Sequence, residues 1–285
     1  MGRRAALIGC GMVGGSLVAA LRAAGVVDRV HGYDRDAEHA RRALTLGLVD
    51  EVAADAAAAV READLVVLAV PVRATAEVCA AIGKAVPGRA LIIDVGSTKL
   101  DVVAAAEATL TDASRFCGAH PMAGNEKSGP DAADASLFRG RLALVTPGAR
   151  TSPEAAVECE ALWAAVGART RRMPPAQHDR VMAWVSHLPH AAAFALAAAV
   201  GGVADEVAGL SGGGFVDTTR IAASDPTMWR DIFLANRAPL LAAIDALGGE
   251  LQTLRAAVDA GDDDAIESLI ARARDGRRRI VEGRA

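Results

Sequence analysis

Cysteine is scarce in this chain of 285 residues, and the spacing of its four cysteines excludes two kinds of site. No two of them form a C-x-x-C pair, the spacing that zinc sites and redox dithiols usually carry. Scattered thiols are typical of a reduced cytosolic protein; here they are Cys10, Cys79, Cys117 and Cys159. We therefore predict a cytoplasmic protein with no disulfide and no metal.

The sequence also lacks an excess of basic charge and a long apolar run. Its net charge is -4 and its pI about 5.9, so bulk charge offers nothing to nucleic acid or to an anionic membrane. The longest uncharged apolar run, residues 191–204, is too short to span a bilayer, and the N-terminus has no signal-peptide pattern. We predict a small-molecule ligand held by local groups, and no nucleic-acid or membrane partner.

What the sequence does have, near its start, is an apolar strand, a glycine turn and a helix. Gly9 permits the tight turn, Gly11 lets the backbone approach a pyrophosphate, and Gly14 lets helix and strand pack closely. The helix N-terminus attracts phosphate charge. This pattern predicts a dinucleotide site that includes Gly9, Gly11, Met12, Val13 and Gly14.

Asp34 ends the second predicted strand, twenty positions past Gly14. A carboxylate there can bind the adenosine ribose 2′-OH and would repel a 2′-phosphate, which favours NAD over NADP. Arg35 follows and partly offsets that repulsion. A second role, compatible with the first, is that Asp34 caps the helix that begins near Ala37.

Near-continuous apolar runs at residues 65–70 and 90–95 predict strands of a parallel sheet buried on both faces. Ligands sit beyond the carboxyl ends of such strands, so Ser97 and Lys99 are predicted at the edge of a crevice. Thr98 with Asp101 reads as a capping box for the next helix, which leaves Ser97 and Lys99 free.

The predicted fold class is α/β, with two domains. Further strands at residues 116–119, 141–146 and 169–172 complete a Rossmann-type, doubly wound sheet in a dinucleotide-binding domain, residues 1–172. From Met173 onward only helical periodicity is found, which predicts an all-α substrate and dimerisation domain, residues 173–285.

His120 lies where an apolar run gives way to a polar loop, against Pro121 and near Glu126 and Lys127. A histidine fixed in this way can serve as a general base near neutral pH. The alternative is that His-Pro is simply a turn.

The helical part contains His178, a pair of histidines at His187 and His190, and an arginine at Arg220. The planar fork of Arg220 suits a carboxylate, although a surface role is the alternative. The alanine-rich helix near residues 191–200 needs burial on most of its surface, which a homodimer would supply.

Five motifs in this order resemble the prephenate and arogenate dehydrogenase family of tyrosine biosynthesis, over nearly the whole chain. They are Gly9-x-Gly11-x-x-Gly14-Gly15, Asp94-Val95-Gly96-Ser97-Thr98-Lys99, His120-Pro121-Met122-Ala123-Gly124 with Glu126-Lys127-Ser128-Gly129, Ser186-His187-Leu188-Pro189-His190, and Phe215-x-Asp217-x-Thr219-Arg220. The resemblance implies NAD-dependent oxidative decarboxylation of prephenate to 4-hydroxyphenylpyruvate. Arogenate, or both cyclohexadienols, is the alternative substrate.

The resemblance also implies roles for the residues singled out above. His120 would accept the proton of the C4 hydroxyl, and Ser97 would orient His120 and the nicotinamide. Arg220 would hold a substrate carboxylate, and His190 would reach the substrate side chain. The remaining pocket residues would be His178, His187 and Glu126. The helical part would be the family's dimerisation domain.

Two positions depart from the family pattern. Many relatives have a lysine where this chain has Val216, so the way they hold the end of the substrate side chain does not carry over. Asn125 lies where relatives vary and predicts no substrate preference. The sequence ends after the helical part, so we expect any feedback by tyrosine to act at the active site.

Two other interpretations compete with this one. Dehydrogenases of the 3-hydroxyacid type share the layout but use a catalytic lysine on an interdomain helix. All lysines of this chain precede the helical part; they are Lys84, Lys99 and Lys127. A non-catalytic NAD-binding sensor would keep the glycine turn but has no need of the serine, histidines and arginine assigned above.

Overall fold

The computed structural model describes residues 2–124 and 127–283, and contains eight strands in one sheet. The strands are β1 (Arg3–Ile8), β2 (Val27–Tyr33), β3 (Glu51–Val52), β4 (Leu65–Leu68), β5 (Leu91–Asp94), β6 (Phe116–Pro121), β7 (Leu142–Thr146) and β8 (Arg169–Arg172). Glu126 and Asn125, named in the sequence predictions, lie outside the described residues.

The helices alternate with the strands up to β8, except in the described part of the link between β6 and β7, and follow one another after β8. They are α1 (Met12–Ala23), α2 (Ala37–Thr45), α3 (Ala56–Val60), α4 (Thr75–Ile82), α5 (Leu100–Thr109), α6 (Pro153–Ala165), α7 (Pro175–Met182), α8 (Leu188–Gly201), α9 (Ala204–Val207), α10 (Gly213–Thr219), α11 (Pro226–Ala235), α12 (Arg237–Ala260) and α13 (Asp263–Glu282). The predicted α/β sheet followed by an all-helical part is confirmed.

The sheet has the strand order β3-β2-β1-β4-β5-β6-β7-β8, which is doubly wound about β1. Pairing is parallel except between β6 and β7, where His120 faces Leu144 in an antiparallel ladder. The described part of the β6–β7 link holds one short 3₁₀ turn, Pro130–Ala132, and no crossover α-helix. Parallel pairing needs such a crossover, so β7 returns antiparallel.

Both faces of the sheet are covered by helices and buried. Successive side chains along a strand point to opposite faces, so each strand contributes to both cores. Leu7, Val67 and Ile93 belong to the hydrophobic core on one face, which also contains α1 and α6 side chains. Val66 and Ile92 belong to the core on the other face, with side chains of α3, α4 and α5. The fully buried runs of β4 and β5 therefore confirm the strands predicted there.

Beyond β8 the described residues contain helices and no strand. α7 and α8 are joined by a π-helical turn, Ala183–His187, into one helix of 27 residues, Pro175–Gly201. By length and composition alone this helix could cross a membrane, a test that core helices also pass. Its inward residues include His178 and Asp179, both buried, which is typical of a core helix around a site.

Residue contacts divide the chain into two compact units, Met1–Arg237 and Ala238–Ala285. The second unit contains most of α12 and all of α13, with a turn at Gly261 between them. Asp262 caps α13 by accepting the Ala265 N–H at 2.9 Å, and Arg272 pairs with Glu250. The predicted boundary between residues 172 and 173 is a different division and stays a prediction.

Candidate active site

The glycine turn after β1 is fixed by close packing at two of its three glycines. Gly9 has a φ of 96°, and a Cβ there would lie 2.3 Å from the Ala69 carbonyl oxygen. A Cβ on Gly14 would lie 2.6 Å from the Gly9 carbonyl oxygen. A side chain on Gly9 would clash with the backbone after β4, and one on Gly14 would push α1 off the glycine turn, so both positions require glycine.

Gly11 differs from these two, because a Cβ there would meet nothing within 4 Å. The open space above Gly11 is where a ligand can approach the backbone. α1 begins directly afterwards, and no described side chain caps it. The first-turn N–H groups, which include those of Met12 and Val13, therefore face the same space and suit a phosphate.

Asp34 is tied to the glycine turn and does not cap the following helix. Its Oδ2 accepts the Cys10 N–H at 2.7 Å and its Oδ1 accepts the Asp36 N–H at 2.8 Å. Asp36 caps α2 by accepting the Glu38 N–H at 2.8 Å, so the capping role predicted for Asp34 is wrong. Asp34 is half-buried at the end of β2, and Arg35 beside it is exposed.

His120 lies at the carboxyl end of β6, 9% exposed, and is held by a second histidine. Its Nδ1 lies 2.9 Å from Nε2 of His178, whose Nδ1 lies 2.7 Å from the Asp179 carboxylate. Burial holds the pKa of His120 well below its ordinary value, and His178, Lys99 and His187 lower it further. His120 is therefore a neutral imidazole near pH 7, the form that can accept a proton.

The loop that follows His120 returns to the nucleotide turn. A Cβ on Gly124 would lie 3.9 Å from Met12 Cε, and the Asp134 N–H donates to Ser16 Oγ of α1 at 2.9 Å. These contacts bring the His120 loop and the first turn of α1 to the same edge of the sheet. The structure thus joins the predicted base and the predicted dinucleotide site.

Ser97 is half-buried, three residues beyond the carboxyl end of β5. β5 and β6 are parallel neighbours with Ile93 paired to Cys117, so Ser97 and His120 follow the same ends of adjacent strands. The orienting role predicted for Ser97 stays a prediction.

Lys99 does not face the crevice, and that prediction is wrong. Its side chain is wholly buried, where Nζ pairs with the Asp94 carboxylate and donates to the Ala119 carbonyl oxygen at 2.9 Å. Burial lowers the pKa of Lys99, and the Asp94 charge opposes that effect. Asp94 also accepts the N–H groups of Gly96 and Ala119, so the ion pair ties the end of β5 to the residue before His120.

The predicted capping box at the start of α5 is also wrong. Thr98 Oγ1 is buried and has no hydrogen-bond partner among the described residues. Asp179 supplies the cap instead, by accepting the Lys99 N–H at 2.8 Å and the Leu100 N–H at 2.9 Å. Sequence analysis missed Asp179, since only the fold brings α7 to the N-terminus of α5.

His187 is fully buried, and burial lowers its pKa to about 4. Its Nδ1 lies 2.9 Å from Asn236 Nδ2, which also donates to the Asp179 carbonyl oxygen at 2.7 Å. Asn236, a second residue missed from sequence, therefore links the turn that carries His187 to the turn that carries His178. It gives no sequence signal, because it stands alone at the end of α11.

His190 stacks on the Trp229 ring, with centroids 3.6 Å apart. Its Nδ1 donates to the Ser186 carbonyl oxygen at 2.9 Å, which leaves Nε2 as an acceptor. Burial lowers the pKa of His190, and the nearby Arg220 charge contributes. Arg220 is exposed at the end of α10, so the structure brings this predicted pair into one neighbourhood.

Over residues 2–124 and 127–283, no group of three or more histidine, cysteine or acidic side chains is close enough to hold a metal ion.

Comparison with known proteins gives two family matches, which follow one another along the chain. Residues 17–172 match the nucleotide-binding domain of prephenate dehydrogenase, and residues 174–272 match its dimerization domain. The cyclohexadienyl dehydrogenase of Zymomonas mobilis is 38% identical over 91% of this chain and 89% of its own length. The prephenate dehydrogenase of Bacillus subtilis is 35% identical over 95% of this chain and 74% of its own length.

A solved structure agrees with these matches. The prephenate dehydrogenase of Aquifex aeolicus, crystallised with hydroxyphenyl propionate and NAD+, is 33% identical, covers 98% of each chain and superposes with a TM-score of 0.87. Sequence and fold thus agree, and the chain belongs to the prephenate dehydrogenase family.

Proposed function

We propose that this protein oxidises and decarboxylates prephenate to 4-hydroxyphenylpyruvate, with NAD+ as cofactor, in tyrosine biosynthesis. The observation that carries the proposal is a buried neutral histidine, His120, linked through His178 to Asp179 and lying beside a dinucleotide turn. The family match supplies the reaction class, since its relatives are oxidoreductases that act on cyclohexadienols.

The residues around the glycine turn fit NAD. Gly9 and Gly14 are required by packing, and Gly11 leaves room for the pyrophosphate at the N-terminus of α1. The half-buried Asp34 carboxylate follows β2, where a ribose 2′-OH would be bound. When bound there, NAD+ supplies the hydride acceptor for oxidation at C4.

The chain's own contribution is proton acceptance, positioning and charge. His120 accepts the proton of the C4 hydroxyl as the carbonyl forms there, and returns it to the same oxygen when loss of CO2 makes the ring aromatic. Arg220 holds a substrate carboxylate through its guanidinium, and His190 offers Nε2 to the substrate side chain from its stack on Trp229. Because loss of CO2 makes the ring aromatic, the step is strongly downhill and needs no further chemical group from the protein.

The proposal is tested by steady-state NADH formation with purified protein. Prephenate and arogenate are assayed in parallel, each with NAD+ and with NADP+. Turnover of prephenate with NAD+ is the expected result. Failure to reduce either cofactor with either substrate, together with measurable binding of NAD+, would favour the NAD-binding sensor instead.

Arogenate is the second candidate substrate, alone or with prephenate. It is favoured by Val216, which is 53% exposed on α10 where many relatives are expected to carry a substrate-binding lysine. The similarity to a cyclohexadienyl dehydrogenase agrees with dual use. Turnover of arogenate alone in the same assay would show that the pocket requires the amine.

Asp34→Ala should reduce the preference for NAD+ over NADP+ by about tenfold, the scale of one lost hydrogen bond to a charged group. The ratio of kcat/KM for the two cofactors is the measurement. Asp36→Ala is the matched control, because Asp36 caps α2 two residues away and is expected to affect stability only. If the ratio of kcat/KM for NAD+ and NADP+ is unchanged in Asp34→Ala, Asp34 does not bind the ribose and serves only to accept the Cys10 N–H.

Arg220→Gln should raise the KM for the cyclohexadienol by roughly 10- to 100-fold, since one charged hydrogen-bond donor to a carboxylate is lost. The Kd for NAD+ should stay unchanged. Arg89→Gln, an exposed arginine that pairs with Asp64 at the other end of the sheet, is the control. If the variant changes only the affinity for NAD+, Arg220 acts at the cofactor site and not at the substrate site.

The enzyme is further proposed to act as a cytoplasmic homodimer. Support comes from the dimerization-domain match and from the helix Pro175–Gly201, which exposes Trp184, Val185 and Leu196. Sedimentation at micromolar concentration should give twice the chain mass, and a monomer would contradict the proposal. With a net charge of -4 we expect neither nucleic acid nor membrane as a partner.

A further inference from the structure

Asp179 accepts more hydrogen bonds than a helix cap requires, and one of them comes from the histidine pair. It is 3% exposed, and its carboxylate takes three donors: His178 Nδ1 at 2.7 Å, the Lys99 N–H at 2.8 Å and the Leu100 N–H at 2.9 Å. Its carbonyl oxygen accepts from Asn236 at 2.7 Å. The orientation of the carboxylate is therefore fixed from α5 and from α7 at once.

The charge on Asp179 is also fixed. Burial alone would raise the pKa of Asp179, but the hydrogen bonds from His178, Leu100 and Lys99 lower it below its ordinary value. The positive end of the α5 dipole acts in the same direction. An ionised carboxylate accepts hydrogen bonds and donates none, so every group facing it must be a donor.

The need for a donor at Asp179 determines which nitrogen of His178, and then of His120, is protonated. His178 must carry its proton on Nδ1, which faces Asp179. Burial lowers the pKa of His178, so it holds no second proton and its Nε2 is bare. A bare Nε2 needs a donor 2.9 Å away at His120 Nδ1, so His120 carries its own single proton there. The remaining nitrogen, His120 Nε2, is then an unprotonated acceptor.

We propose that Asp179 is a positioning residue that sets, through His178, the tautomer in which His120 Nε2 is the base. The inference rests on the proposed function for the identity of the reaction, but the tautomers themselves are a property of the protein alone. When His120 accepts a proton at Nε2, the buried carboxylate two links away also stabilises the imidazolium. Capping α5 is the competing explanation for Asp179, since it needs no relay.

Asp179→Ala separates the relay from the cap. We expect kcat to fall by about 10²-fold or more, as loss of the orienting carboxylate does in catalytic triads. The KM for the cyclohexadienol and the Kd for NAD+ should each change by less than about threefold, because Asp179 is placed against neither ligand. A lower unfolding midpoint with kcat within about threefold of wild type would assign Asp179 to capping and overturn the proposal.

Asp55→Ala is the matched control. Asp55 caps α3 by accepting the Ala58 N–H at 2.7 Å, and it follows β3 at the edge of the sheet farthest from β8. This variant removes the same carboxylate from a helix N-terminus, and among the described residues no contact between Asp55 and a histidine is found. We expect a lower unfolding midpoint and a wild-type kcat. A kcat that falls equally in both variants would also overturn the proposal.

The tautomers can be read directly in the unaltered protein by ¹⁵N-histidine NMR, since the chain has six histidines. The chemical shift of each ring nitrogen distinguishes a protonated from a bare atom. We expect His178 and His120 each to be protonated on Nδ1 and bare on Nε2. A proton on Nε2 of His120 would overturn the relay even if Asp179→Ala fails to fold. This readout needs no substrate, so its failure is distinct from a failure of the proposed reaction.

Discussion

His120→Asn should lower kcat by about two to four orders of magnitude, the range for loss of a general base. Asparagine retains a polar side chain of similar size at the end of β6 but cannot accept and hold the substrate proton. The affinity for NAD+ should stay unchanged, because the glycine turn and Asp34 form without His120. Single-turnover NADH formation, together with a binding titration for NAD+, provides both measurements.

His31→Asn is the control for this change. His31 lies on β2, 3.6 Å from Glu51, and has no part in the proposed site. We expect its kcat to match that of the wild type. A wild-type kcat in His120→Asn would remove His120 from the mechanism and would leave the proposed reaction without a base.

Lys99→Met should lower the free energy of unfolding by about 3–5 kcal/mol, because it leaves a buried carboxylate without its counter-charge. Lys99 is 0% exposed and Asp94 3% exposed at the side chain, so water cannot replace the lost partner. Methionine keeps the length and most of the volume of the side chain. Urea denaturation at a fixed protein concentration measures the change, since a dimer's stability depends on concentration.

Two further variants separate the charge from the packing. Asp94→Asn combined with Lys99→Met removes both charges, and we expect it to recover at least half of the lost stability. Arg4→Met breaks an ion pair with Glu62 whose side chains are 47% and 65% exposed, and should cost at most about 1 kcal/mol. Equal losses in Lys99→Met and Arg4→Met would show that burial does not govern the contribution of the Asp94 pair.

The elements that the sequence predicts well are those specified by local chemistry. The glycine turn is one, because the tight φ at Gly9 and the helix contact at Gly14 each demand the absence of a side chain. β4 and β5 are others, since four buried apolar residues in β4 and three in β5, followed by the buried Asp94, suit a strand covered on both faces. The position of His120 is also predicted, because it ends a buried apolar strand and so lies at the carboxyl edge of the sheet.

The errors all concern polar side chains, and their partners lie at both short and long distances along the chain. Thr98 matched a capping pattern, yet the acceptor for the first N–H groups of α5 is Asp179, eighty residues beyond Lys99. Lys99 was placed in the crevice because the strand end points there, whereas the buried Asp94 charge attracts its ammonium inward. A local sequence pattern does not identify a partner on a distant helix. The roles of Asp179 and Asn236 can therefore be recognised only in the folded structure, where α7, α5 and α11 pack together.

The π-helical turn Ala183–His187 explains how His178 and His187 both come to be buried. They are nine residues apart, which is two and a half turns of an α-helix and would place them on opposite faces. The wider π turn, with its i→i+5 hydrogen bonds, changes the phase of the helix between them. Both histidines then lie at 0% exposure, and Asn236 links His187 to the carbonyl oxygen of Asp179, the residue next to His178.

The π turn therefore constrains the number of residues between His178 and His187. Trp184 and Val185 within the π turn are about half exposed, at 52% and 51%, so they point away from the buried histidines. An insertion of one residue that leaves the π turn intact would rotate everything that follows by about 100° and turn His187 and His190 away from their partners. In comparisons between relatives, the count of residues from His178 to His187 should stay fixed.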